Sequence, residues 1–170
     1  MKKRMINLVL ALVAMLPLQA QSLDGKWMAL DDEDGTAMAY ILVFEGDLMR
    51  QALVSSTDAE NLGQMTVAIA VPAQNFTPGA KKLNFTFDAK QVELAIQDID
   101  FNDELKADFK KNPKKEEQTR KFIEKHFESL KEEMANTMLL SGEHTIVKQT
   151  DDELVLKDTD GETYQFVKNK

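Results

Sequence analysis

The chain carries few kinds of side chain that could do chemistry. Its 170 residues include no cysteine and two histidines, His126 and His144. Disulfides, thiolate zinc sites, iron–sulfur clusters, cysteine catalysis and lipid attachment at a lipobox are therefore excluded. Neither histidine belongs to a His-Glu-x-x-His spacing, and no third one exists to complete a zinc site, so both are read as boundary or surface residues. The acidic runs Asp31-Asp32-Glu33-Asp34-Gly35 and Asp158-Thr159-Asp160-Gly161-Glu162 lack the alternating oxygen ligands of a calcium loop and read as hairpin turns. No metal and no cofactor are expected. Among 29 Asp and Glu some pair always falls together, so paired carboxylates by themselves do not argue for glycoside hydrolysis. The chain has no Gly-x-Ser-x-Gly elbow, phosphate loop or dinucleotide fingerprint, and the expectation is a non-enzymatic protein.

Charge narrows the partners. Against those 29 acids stand 21 Lys and Arg, for a net charge of −8. Three of the bases, Lys2, Lys3 and Arg4, precede the apolar run Met5 to Leu18, which ends in Gln19-Ala20-Gln21-Ser22. A basic start, an apolar stretch and a small-residue exit form a secretory signal peptide. The run is shorter than the roughly 20 residues a permanent membrane span needs. Residues 1–20 are thus expected to be removed, with cleavage after Ser22 as the alternative. The remainder, 21–170, keeps 18 bases against 29 acids, a net charge of −11. It is expected in the periplasm or outside the cell, with no stable membrane span, and duplex nucleic acid is a poor partner for such a surface.

The elements that must position any site follow from hydrophobic period. Met65, Val67, Ile69 and Val71 share one face of a strand, with Thr66, Ala68 and Ala70 on the other. Leu83, Phe85 and Phe87 alternate with polar residues, and Val92, Leu94 and Ile96 alternate with Glu93, Ala95 and Gln97. These read as half-buried strands with one face inward and one wet. Pro72 to Ala80 reads as a longer loop or an irregular edge crossing. At Asn102 the period changes. Asn102 caps a first short helix, Asn112-Pro113 opens a second, and Ile123, Phe127, Leu130, Met134 and Met138 form one helical stripe. Glu117 with Lys121, and Arg120 with Glu124, are spaced to pair on its polar side. That stripe must be buried, either on the wall of the sheet or across one mouth. Three more strands follow.

Nine strands joined mostly by tight turns, with a helical insertion at about 102–140, predict one mainly β domain. The predicted architecture is an up-and-down antiparallel β-barrel of about 8–10 strands, with the helices before the last three. Its inward faces supply candidate ligand-lining residues: Tyr40, Leu42, Phe44, Val67 and Ile69 from the first half. Phe85, Phe87, Leu94, Tyr164 and Phe166 come from the second. A barrel of this size either fills its interior with side chains or holds one small ligand, and the residues leave both open.

The first mature strand opens Gly25-Lys26-Trp27, with the only tryptophan. A Gly-x-Trp at the start of a small secreted antiparallel meander resembles the lipocalins and the wider calycin group. The stretch from Thr145 to Val167 is similar to the C-terminal hairpins of lipocalin-like families common in Bacteroidota. The resemblance implies that Gly25 and Trp27 form the closed base of the barrel. In lipocalins the tryptophan packs against an arginine on a late strand. Here no arginine follows Arg120, leaving Arg50 or a late lysine for that place. The expected function is binding of a small hydrophobic or amphipathic molecule in the interior. The alternative is a protein-interaction or scaffold module of the cell envelope that uses the helical insertion around a filled core.

Overall fold

The computed structural model describes residues 22–33, 36–59, 61–79 and 81–169. The expected leader and the Asp34-Gly35 turn lie outside the described residues. Ten strands form one antiparallel sheet: β1 (Gly25–Glu33), β2 (Thr36–Glu45), β3 (Leu48–Ala59), β4 (Gly63–Pro72), β5 (Gln74–Pro78), β6 (Lys82–Thr86), β7 (Glu93–Phe101), β8 (Gly142–Gln149), β9 (Glu153–Lys157) and β10 (Thr163–Asn169). Helices α1 (Asp103–Lys111) and α2 (Pro113–Met138) come between β7 and β8.

The spatial order β5-β6-β8-β9-β10-β1-β2-β3-β4-β7 departs from a closed up-and-down barrel. The sheet curls into a half-barrel whose ends are β5 and β7. Two places break the simple meander. After β4 the chain is held by the Ala73 N–H donating to Met49 O at 2.9 Å, and it then forms β5. This is the segment expected as an irregular crossing; it pairs with β6 through a register shift and ends at Pro78. Between β6 and β7 the chain makes a 3-10 turn, Ala89–Gln91, capped by the Asp88 carboxylate. It joins strands that do not pair with each other, because β6 adds to β8 and β7 adds to β4.

An open curled sheet leaves its concave face to be covered, and the helices cover it. Along α2, Ile123, Phe127 and Met134 pack with Met65, Val67, Ile99 and Phe101, while Ala135, Leu139 and Met138 pack with Leu53, Ile69 and Val71. The stripe is therefore core, seated inside the curl instead of on an outer wall. The remaining interior is a packed cluster around Trp27, Phe44, Phe85 and Phe166.

Both ends of the insertion are pinned to the sheet. At the entry, Asn102 N–H donates to Leu62 O at 2.9 Å, and the Asn102 side chain accepts from Leu105 N–H at 3.0 Å. Close approach here needs Gly63, since a Cβ at that position would lie 2.2 Å from Asp100 O. At the exit, the buried Gln51 amide makes two bonds to the Leu140 backbone. Its Nε2 donates to Leu140 O at 2.8 Å, and its Oε1 accepts from Leu140 N–H at 3.1 Å. Two sequence expectations for α2 change. Asn112 makes no side-chain cap, although Pro113 does open the helix. Arg120 pairs with Glu116 at 3.0 Å, not Glu124, because its guanidinium lies over the Phe101 ring at 4.8 Å. Glu117 and Lys121 pair as expected, at 2.5 Å.

Gln51→Leu keeps the volume and leaves one buried donor and one buried acceptor of Leu140 unpaired. It should cost about 2–4 kcal/mol, read as a lower urea midpoint at an unchanged slope. A loss under about 0.5 kcal/mol would mean the backbone of Leu140 finds other partners.

Candidate functional site

Of the ten expected ligand-lining residues, Leu42, Phe44, Val67, Ile69, Phe85 and Phe166 are buried in packed clusters. Tyr40, Phe87, Leu94 and Tyr164 remain half-buried. Tyr40 and Tyr164 meet edge to face at 6.4 Å. Next to them stands a residue that sequence reading placed at the boundary: His144 is 1 % exposed. It begins a strand in sequence, but β8 lies between β6 and β9, so its inward face belongs to the interior. The ring stacks on Phe85 at 5.1 Å and meets Tyr164 at 6.3 Å.

The polar geometry here has one sign. His144 Nδ1 lies 3.3 Å from Gly142 O. A carbonyl has no proton to give, so Nδ1 carries the proton and Nε2 presents a lone pair. Among the described residues Nε2 has no hydrogen-bond partner, yet no fully buried side-chain nitrogen or oxygen is left unpaired. Nε2 therefore keeps a slight contact with solvent.

The Tyr164 hydroxyl lies 3.0 Å from Glu162 Oε2 and 3.2 Å from Asp158 Oδ2. One phenolic proton serves one of these oxygens at a time, leaving acceptor capacity beside the ring. Burial, then the bond to Glu162 and the two negative charges, push the Tyr164 phenol well above its ordinary range. Burial works to raise the Asp158 carboxyl. Bonds from the Glu162 N–H, the Tyr164 hydroxyl and the Gly161 and Asp160 N–H groups outweigh it, and the net direction is down. The wall is thus an aromatic surface bearing acceptors.

A concavity of about 490 Å³ lies where α2 meets β7, lined by Leu94, Ile96, Lys121, Glu124, Lys125 and Glu128. Its floor is apolar and its rim carries both signs of charge. Leu94, expected in the interior, lines this concavity and also packs against the clusters around Leu53 and Met65.

Gly25 opens β1, and Trp27 belongs to the packed cluster on the inward face. Trp27 is 0 % exposed, and its indole N–H donates to Leu23 O at 2.7 Å. The cation over its ring is Lys168, with Nζ 5.1 Å from the centroid. Arg50 stands on the outward face, opposite Val43 and Pro72. No family model, curated protein or solved structure matches the chain. Function must be argued from these residues alone.

Burial, the largest effect on His144, lowers its pKa below the ordinary 6.5; the Gly142 carbonyl and Asp158 oppose it more weakly. The unfolded chain then binds the proton more readily than the folded one. Stability is full above 6.5 and falls as pH drops from there through the folded-state value. Between pH 7.5 and 5 the melting temperature should fall more for the parent protein than for His144→Phe. Parallel curves for the two would show that the ring titrates as in water.

Proposed function

We propose that this is a secreted or periplasmic, non-enzymatic, lipocalin-like protein that holds a small amphipathic molecule. Its apolar part lies against Tyr40 and Tyr164, and its donor head group meets His144 Nε2. The observation that carries this reading is the nearly buried, neutral imidazole with an unpartnered nitrogen at an aromatic wall. Ligand sites are mostly apolar, with a few placed polar groups that set orientation. Here those groups are a lone pair on His144 and the carboxylates of Asp158 and Glu162, so they select a donor. An amine or hydroxyl head suits them, and a carboxylate head is repelled. The basic and apolar start of the chain supports export.

Trp27 and Phe85 belong to one cluster, and Phe85 stacks on His144, so indole emission offers a readout. Dodecylamine and dodecanol should shift Trp27 emission saturably, and dodecanoate should bind at least tenfold more weakly. His144→Phe, which keeps the stacked ring and removes the lone pair, should weaken dodecylamine at least tenfold. Lys125→Asn, on the concavity between α2 and β7, should leave binding unchanged. Equal binding of the three amphiphiles, or sensitivity to Lys125→Asn alone, would move the site or remove it.

One observation favours the second reading, a protein-interaction module. Phe122 on α2 is 72 % exposed and stacks on the exposed His126 ring at 6.4 Å. Removing the whole insertion would remove core, so the test is Phe122→Ser. Loss of a partner by this variant, with amphiphile binding intact, would select the module.

A further inference from the structure

β7 ends the sheet with one side unpaired. It bonds to β4 along one edge, and among the described residues no strand lies along the other. Alternate residues of an end strand turn their backbone N–H and C=O groups away from the neighbour, where water or a partner must meet them. From Glu93 to Ile96 the pairing with Ala70 to Val67 is unbroken, and the register shifts only beyond Ile96. That stretch is a regular template. β5, at the other end, is not, because it holds five residues, with Asn75 at a φ of 52° and Pro78 lacking an N–H.

The side chains of this stretch say what would fit beside it. On the inward side Leu94 and Ile96, both half-buried, floor the concavity of about 490 Å³ whose far wall is Lys121, Glu124, Lys125 and Glu128 of α2. That space lies where the inward side chains of a next strand would go. From Lys121 to Glu128 the helix rises about 10 Å, and side chains two apart on a strand are about 7 Å apart. The wall is thus long enough for two of them. On the outward side Glu93, Ala95 and Asp98 are exposed, and neither acid makes an ion pair among the described residues, whereas Asp100 is paired with Lys106 at 2.7 Å. A strand laid here meets an apolar floor on one side and two unpaired carboxylates on the other. A second β7 would set acid against acid.

We propose that the unpaired edge of β7 takes an extended segment of a partner protein as an added strand, with apolar residues at its inward positions and Lys or Arg at its outward ones. Main-chain hydrogen bonds to β7 hold such a segment, and the alternation of its side chains selects it. The apolar residues enter the concavity against Leu94 and Ile96, and the basic ones lie across from Glu93 and Asp98, where opposite charges on neighbouring strands attract. The Lys121 and Lys125 side chains are no obstacle, since they face the inward positions. No residue of this groove belongs to the wall of Tyr40, Tyr164 and His144, so the two sites stand or fall separately.

The probe is a fluorescein-labelled peptide, Lys-Val-Arg-Val-Lys with a C-terminal amide, titrated with the leaderless chain up to about 1 mM and followed by anisotropy. It should bind saturably and slow hydrogen exchange of β7 amides between Glu93 and Ile96. Methylating the backbone nitrogens of either the valines or the basic residues should abolish binding, and methylating the other set should leave it, because a strand bonds to its neighbour through alternate residues. Glu93→Lys with Asp98→Lys, both on exposed side chains, should weaken the basic peptide about tenfold and admit Glu-Val-Glu-Val-Glu, which the parent protein refuses. No saturable binding overturns the proposal. So do equal binding of the acidic and basic peptides by the parent protein, tolerance of both methylated sets, or protection confined to elements other than β7.

Discussion

An antiparallel sheet that curls without closing must have its concave face filled, and the rest of this structure depends on how that is done. The filler is a helix supplied by the same chain, held where it enters by the Asn102 to Leu62 bond and where it leaves by Gln51. Gln51 matters because the chain leaves α2 in the interior, where an unpaired backbone amide is costly. A primary amide carries both a donor and an acceptor, so one buried side chain satisfies both groups of Leu140. Hydrophobic burial drives the helix inward, and this pair determines where along the sheet it stops.

Placing the helix there divides the interior. Its apolar stripe closes the β3, β4 and β7 side, and the aromatic cluster around Trp27 fills the side formed by β1, β2, β6, β9 and β10. What remains half-buried is the wall of Tyr40 and Tyr164 beside His144. Burial keeps that imidazole neutral, while the neighbouring turn supplies two carboxylates. His144, Asp158 and Glu162 then present lone pairs at the wall, with the Tyr40 phenol, kept protonated by burial, as a donor beside them, which is a restriction on ligand chemistry that a fully packed or fully apolar interior would lack.

An open sheet also has two ends, and both are poor templates for a second copy of the sheet. β5 is five residues long, ends in Pro78 and contains Asn75 at a φ of 52°. β7 carries outward Glu93, Asp98 and Asp100 and is bent where its register with β4 shifts between Thr66 and Val67. Edge-to-edge growth is thereby discouraged.

Much of the chain could be read directly. Period-two alternation located nine strands, the change of period at Asn102 located the helices, and Pro113 marked the start of α2 because its ring suits the first helical turn. Trp27 is buried near the start of β1, and a late lysine, Lys168, lies over its ring. β5 was not legible as a strand, because Pro72, Asn75, Pro78 and Gly79 carry loop signals and only pairing with β6 makes the segment extended. The depth of His144 was not legible either: a strand's first residue looks peripheral until the neighbours of that strand are known. The same holds for Ala68 and Ala70, whose outward apolar character becomes a surface only when Ala52 and Ile41 are found beside them. The sequence by itself determined the local periods, the absence of thiol chemistry, and which side chains share a face, since these depend on near neighbours in the chain. Tertiary structure alone decided which strands adjoin, that the barrel stays open around α2, and which polar groups meet. Those outcomes depend on contacts between residues far apart in sequence, as Gln51 and Leu140 are, and no local pattern encodes them.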